Sequence, residues 1–275
     1  MGISILILTL NEEVVLPRCL DSVKWSDDIV VFDSFSSDKT IEIAKSRNAR
    51  VFQKKFEGYA SQRNAALAVE FKNPWVLMVD ADEQVPENLR QEACSAVESA
   101  SEDMALFRMR RKDFFMGRWI KHSSGYPTWF GRLLRAGRVR VDREINEEYH
   151  ATGEAGFLRA HLHHYPFTKG IQFWVERHNR YSSMEATALS TETRRPIAYS
   201  DLLAKDPAIR RKVGKQILYR LPLRPVLVPA YLFLFRGGFL DGPPGIYFSL
   251  LRAVYEYMIA LKMKEIERRR LGLPL

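Results

Sequence analysis

Trp75-Val76-Leu77-Met78-Val79-Asp80-Ala81-Asp82-Glu83 joins an unbroken apolar run to a cluster of three carboxylates. Apolar residues in succession, without polar alternation, fit a strand buried on both faces, as in a parallel sheet covered by helices. Ile29-Val30-Val31-Phe32 has the same character. Working outward, apolar runs of strand length at 3–8, 29–32, 50–53, 75–79 and 104–110 alternate with helical periodicity at 14–22, 40–46, 61–70 and 87–99. That alternation predicts a Rossmann-like α/β half with a mostly parallel sheet flanked by helices over residues 1–111. Ligands in such sheets bind beyond the carboxyl ends of the strands, where Asp80, Asp82 and Glu83 stand.

A divalent ion holding a diphosphate takes one or two carboxylates and completes its shell with phosphate oxygens and water, so an acid-x-acid turn after a strand suits Mg²⁺ or Mn²⁺. The same acids could simply start a helix, because Pro86 and Glu87 follow. Other strand ends load the same edge: Thr9-Leu10-Asn11-Glu12-Glu13 after the first, and Asp33-Ser34-Phe35-Ser36-Ser37-Asp38-Lys39-Thr40 after the second. Gln62-Arg63-Asn64 follows the third. Capping alone does not explain so many polar groups on one rim, which reads as a pocket for a nucleotide and a metal.

Thr9-x-Asn11-Glu12, Asp33-Ser34-x-Ser36-x-Asp38-x-Thr40, Arg63-Asn64 and Asp80-x-Asp82 together resemble the signature of family 2 glycosyltransferases with the GT-A fold. Further on, Gly125-Tyr126-Pro127, Arg132-Leu133-Leu134-Arg135, Asn146-Glu147, His164-Tyr165, Asn179-Arg180-Tyr181 and Gly238-Phe239-Leu240-Asp241-Gly242 are similar to the branch that builds bacterial lipopolysaccharide cores, β-glucosyltransferases included. The resemblance implies a metal-dependent inverting transfer of a hexose, with UDP-glucose as donor and a lipid-linked saccharide such as the lipopolysaccharide inner core as acceptor. It implies that Thr9, Leu10, Asn11, Glu12, Asp33 and Arg63 line the donor's base and ribose. Asp80-Ala81-Asp82 would meet the ribose and metal, with Asp82 the principal metal ligand and Asp80 beside it. An inverting transfer needs a carboxylate to take the acceptor's proton, and Glu147 is the candidate base. Related sequences often read His-Glu where this chain has Asn146-Glu147. A transferase acting on a polyprenyl phosphate would use similar machinery.

Residues 112–190 form the acceptor-side half in this reading, irregular to about residue 164 and then helical from 170 to 189. Arg132 and Arg135 suit acidic acceptor groups, since a guanidinium meets carboxylate or phosphate with two hydrogen bonds, although solvated surface arginines read the same way. Tyr126 and Trp129, with Trp119 and Phe130, could stack on sugar rings or pack a core. His161-x-His163-His164 has zinc-like spacing, but no third or fourth ligand accompanies it, so structural or acceptor-contact roles fit better. Cys19 and Cys94 read as small buried hydrophobes.

The net charge of +9 is uneven: −5 over residues 1–100, +6 over 101–200 and +8 over 201–275. A basic rear can meet nucleic acid or an anionic membrane. No nucleic-acid-binding motif is present, and the acidic rim would repel phosphates, so no nucleic-acid partner is expected. A structural membrane adaptor would explain the tail without the loaded rim. Residues 191–275 open on a polar, hinge-like stretch and contain apolar runs at 226–235 and 246–261, too short to span a bilayer, between Lys/Arg clusters. They predict a helical, membrane-associating extension on the cytoplasmic, inner face of the bacterial membrane, touching anionic headgroups, unless they form an ordinary helical cap. The first eight residues lack a basic leader and read as a core strand.

Overall fold

The computed structural model of the chain describes residues 2–142, 148–192, 198–203, 213–214, 217, 220 and 223–275. Contacts gather the chain into two compact units: Met1–Trp119 with Tyr126–Lys169, and Ile120–Gly125 with Gly170–Leu275. The sequence alone suggested boundaries near residues 111 and 190.

In the first unit, β1 (Ile3–Thr9), β2 (Ile29–Asp33), β3 (Arg50–Gln53) and β4 (Trp75–Asp80) pair in parallel in the order β3-β2-β1-β4. Their expected positions hold to within a residue. Successive strand residues point to opposite faces, which explains the continuous apolar runs. Ile5, Ile7, Val31, Leu77 and Val79 pack against α1 (Leu16–Val23) and α4 (Glu87–Glu98). Leu6, Val30, Phe32, Val76 and Met78 pack on the other face with Ala66 of α3 (Tyr59–Leu67). The short α2 (Thr40–Ser46) links β2 to β3.

Beyond β4 the sheet becomes mixed, continuing through β8 (Trp129–Arg135), β6 (Met104–Phe115) and β11 (Glu154–His164) to the two-residue β5 (Glu83–Gln84). β8 runs antiparallel to β4 and β6, β11 parallel to β6, and β5 antiparallel to β11. β7 (Arg118–Trp119) folds back on β6, and β9 (Val139–Asp142) pairs with β10 (Glu148–Ala151) as a separate ribbon. The stretch expected to be irregular is therefore largely strand. Its strands carry charged and polar residues among the apolar ones instead of running apolar.

In the second unit, α5 (Gly170–Glu192) packs on α7 (Gly242–Arg270) through Ala186, Leu189 and Ile259. Between them in sequence come a short 3₁₀ turn at Tyr199–Leu203, α6 (Arg224–Ala230), one π-helical turn (Tyr231–Phe235) and a 3₁₀ turn (Gly238–Asp241). Pro229 lies inside α6; proline removes a backbone donor, and the widened turn follows directly. Glu256, buried on α7, is held by Arg224 and Arg252 at 2.7 Å each, so no lone charge is left inside. No helix among the described residues is long and apolar enough to cross a membrane.

Asp241 ties the 120–125 loop into this unit: its buried carboxylate accepts the backbone N–H groups of Lys121 (3.2 Å), His122 (2.9 Å) and Ser123 (2.9 Å). Asp241→Ala orphans all three donors and should cost about 2–4 kcal/mol in urea unfolding. Hydrogen exchange should accelerate at those three amides, and Asp241→Asn should restore part of the loss.

Candidate active site

The carboxyl ends of β1 and β2 are cross-braced before any ligand arrives. Asp33, fully buried, accepts from Thr9 Oγ1 (2.8 Å), from Ser36 N (2.8 Å) and Oγ (2.5 Å), and from Gln53 Nε2 (3.1 Å). A carboxylate has about four acceptor positions, so Asp33 is saturated and acts here by shaping the turn. Asn11 and Phe35 adopt left-handed backbone, with φ of 55° and 62°. Asn11 Oδ1 accepts the Ser37 amide at 2.8 Å, and Asn11 N donates to Ser36 Oγ at 2.8 Å. Glu12 N donates to Thr40 Oγ1 (2.7 Å), and the Glu12 carboxylate pairs with Lys169 at 2.7 Å. Leu10 is exposed on this rim.

At the end of β4 the acids divide into two groups. Asp80 is claimed by arginines: Arg63 Nη2 approaches Oδ1 at 3.2 Å and Arg132 Nη2 approaches Oδ2 at 2.6 Å. The same Arg132 nitrogen donates to Glu83 Oε1 at 3.1 Å, and Arg111 reaches that oxygen at 3.5 Å. Glu83, fully buried, also accepts the Asp80 amide at 2.9 Å. Burial alone would raise the Asp80 carboxyl, but Arg132 and Arg63 outweigh it and hold Asp80 far below the usual carboxylate range. Glu83 goes the other way: burial, with the Asp80 charge beside it, pushes it up against the pull of Arg132 and Arg111.

Asp82 belongs to the second group. Its Oδ2 lies 3.3 Å from His164 Nε2, while His164 Nδ1 lies 2.6 Å from Asp113 Oδ1, which also accepts from Arg111 Nε at 2.9 Å. Burial and Arg111 act to lower the His164 pKa, but Asp82 and Asp113 prevail and raise it to about 9. The imidazolium then donates from both nitrogens and holds the two carboxylates together. Asp82 and Ala81 line a small cleft with Val15, Cys19, Gln84 and Tyr165.

The structure thus gathers Thr9, Asn11, Glu12, Asp33, Arg63, Asp80 and Asp82 at one end of the sheet. Arg132, expected on the acceptor side, is instead the counter-charge of Asp80 and Glu83. Arg135 is not brought to the rim: it pairs in register with Trp75 at the opposite end of β4 and donates to the Glu102 carbonyl at 2.8 Å. Tyr126 and Trp129 lie together on the sheet beside Arg110. Glu147 and Asn146 lie outside the described residues. Sequence reasoning missed Glu83's central place, Arg111, Asp113 and the position of His164. The signal was register: Asp113 and His164 are direct neighbours across the β6–β11 pair, as are Glu83 and His164 across β5–β11.

Residues 4–165 match the family described as Glycosyl transferase family 2. The chain belongs to that family. This family 2 glycosyltransferase is 26% identical to a lipopolysaccharide core biosynthesis glycosyltransferase of Rhizobium meliloti, over 94% of this chain and 92% of that protein. It is 39% identical to an uncharacterized glycosyltransferase of Rickettsia bellii, over 70% of this chain and 69% of that one. A mannosyltransferase from Pyrobaculum calidifontis, solved in complex with GDP-Man and Mn²⁺, superposes with a TM-score of 0.55 at 16% identity, covering 95% of this chain and 86% of that one. The glycosyltransferase thus has the GT-A-like fold, a mostly parallel sheet flanked by helices.

Arg132→Ala should leave two adjacent carboxylates without their shared cation and cost about 3–5 kcal/mol in thermal or urea unfolding. Neutralising one of them in the same chain, with Glu83→Gln, should recover part of that loss.

Proposed function

We propose that this glycosyltransferase moves a hexose, glucose from UDP-glucose, with inversion onto a lipid-linked saccharide of the lipopolysaccharide-core kind. The observation that carries the reading is the division of labour after β4. Asp80 is fixed by Arg63 and Arg132, whereas Asp82 lines the cleft beside His164. The core-biosynthesis relative, matched along nearly its whole length, supports the acceptor class.

A divalent cation fits this donor set. Among the described residues no three carboxylate, imidazole or thiol side chains form a ready-made cage. A site that takes one or two protein ligands and leaves the rest to diphosphate oxygens and water suits Mg²⁺ or Mn²⁺. Asp82 would hold the ion, its carboxylate positioned by His164. When bound it would supply charge compensation for the departing diphosphate. The braced Thr9–Asp33 and Asn11–Ser37 turns hold the rim on which the base and ribose would rest. Glu147 would take the acceptor hydroxyl's proton as that oxygen attacks the anomeric carbon.

UDP with Mn²⁺ should raise the unfolding temperature of the wild type, and a ligand at a hundred times its Kd stabilises by about 2.7 kcal/mol. Asp82→Ala should abolish the metal-dependent part of that protection. Glu147→Gln should lower transfer on the order of a hundred- to ten-thousand-fold while the UDP protection persists. Transfer to a polyprenyl phosphate lacking an acceptor sugar would favour the other acceptor class.

The membrane reading is part of this proposal. On α7 the exposed large residues Ile246, Leu250, Val254, Tyr257 and Leu261 recur at helical spacing, and Tyr231, Leu234 and Phe235 add exposed apolar surface. Lys264, Arg268, Arg269 and Arg270 follow on the same helix. An apolar stripe next to a basic cluster suits a leaflet with anionic headgroups. The chain should sediment with phosphatidylglycerol vesicles, and Leu250→Glu with Val254→Glu should release it. Equal binding to phosphatidylcholine vesicles would count against the electrostatic part.

A further inference from the structure

The outer strands of the sheet carry a row of cations that the donor site does not use. Leu106 on β6 shares a core cluster with Met78 of β4. By strand alternation, Arg108, Arg110 and Lys112 continue the face that leads to Asp80. Each lies over an aromatic ring. Arg110 Cζ is 4.8 Å from the Trp129 ring and 5.8 Å from that of Tyr126; Lys112 Nζ is 4.7 Å from Trp119; Arg108 Cζ is 6.0 Å from Phe157. Tyr126 Oη and His161 Nε2 are 2.9 Å apart.

These cations lack acidic partners. Among the described residues no carboxylate pairs with Arg108, Arg110, Lys112 or Arg159, and the buried Arg110 Nε has no hydrogen-bond partner. Their field is felt by the histidines between them. Burial together with Arg110 and Lys112 takes His161 down to about 4, and burial with Lys112 lowers His163 as well. Both imidazoles are therefore neutral at pH 7 and offer hydrogen bonds without adding charge. Trp129 and Phe157 remain 39% and 58% exposed.

We propose that this cation–aromatic face, centred on Arg110, Lys112, Trp129 and Tyr126, binds acceptor sugars that carry carboxylate or phosphate groups. The proposal rests on the transferase reading above and names the acceptor's chemical class. Aromatic faces suit the C–H faces of sugar rings, and partly buried Arg and Lys without acidic partners among the described residues suit anionic substituents. The row also has the right place and length. Lys112 and His163 pair in register one residue before Asp113 and His164. From there to Arg108 the strand runs about 13 Å at roughly 3.3 Å per residue, enough for more than one sugar ring.

The test uses the full chain and, as probe, core oligosaccharide released from lipopolysaccharide by de-acylation. The probe is presented native, dephosphorylated and carboxyl-reduced, and binding is read by calorimetry without donor. Arg110→Gln with Lys112→Gln should weaken native-probe binding at least tenfold, and Trp129→Ala should weaken it too. Lys24→Gln with Lys45→Gln, an equal charge change elsewhere, should not. UDP protection against unfolding should persist in the double variant, which separates failure here from failure of the transferase reading. Whichever probe treatment reproduces the loss identifies carboxylate or phosphate as the recognised group. Absence of wild-type binding to the native probe, unchanged affinity in the double variant, or a loss confined to phosphatidylglycerol vesicle binding would each overturn the proposal.

Discussion

Asp80, partly buried, and Glu83, fully buried, lie close enough to feel each other's charge, and Arg132 makes that arrangement tenable by donating to both. Like charges in a poorly polarisable interior repel by several kcal/mol, and a single bridging guanidinium converts the repulsion into a three-body attraction. The sheet supplies this arginine by a defect. Leu133 pairs with Phe107 and Gly131 with Arg108, so Arg132 is the extra residue of a β-bulge in β8. Bulges re-aim side chains next to active sites, and here the re-aimed chain meets the end of β4. With Asp80 committed in this way, Asp82 two residues on lines the cleft, with Glu83 next to it.

The parallel half was legible because its physics is one-dimensional. A strand covered on both faces must be apolar at every position, and Val76 to Val79 announce this without any knowledge of neighbours. Acids after such a strand locate the site by the same logic. The second half was not legible in that way. The strand read at 104–110 continues through the charged run Arg110-Arg111-Lys112-Asp113 to Phe115. That pattern resembles surface loop until pairing is known.

Arg132 and Arg135 share the chemistry that suits an acidic acceptor, but the strand separates them. Three residues along a strand give about 10 Å of separation. One arginine therefore entered the acid cluster and the other went to the far end of the sheet. Asp113 and His164 illustrate the converse: fifty-one residues apart, they become a hydrogen-bonded pair only through the β6–β11 register. No local pattern encodes such a meeting.

The pleat of β6 lets one short strand serve two electrostatic surfaces. Arg111 and Asp113 turn toward Glu83 and His164 and complete the charge balance of the acid cluster. Arg110 and Lys112, their immediate neighbours, point the other way and are met by aromatic rings in place of carboxylates. Alternation along the backbone keeps the two groups apart at no cost in chain length. The sheet thereby sets an acid cluster and a basic row within a few residues of each other along one strand.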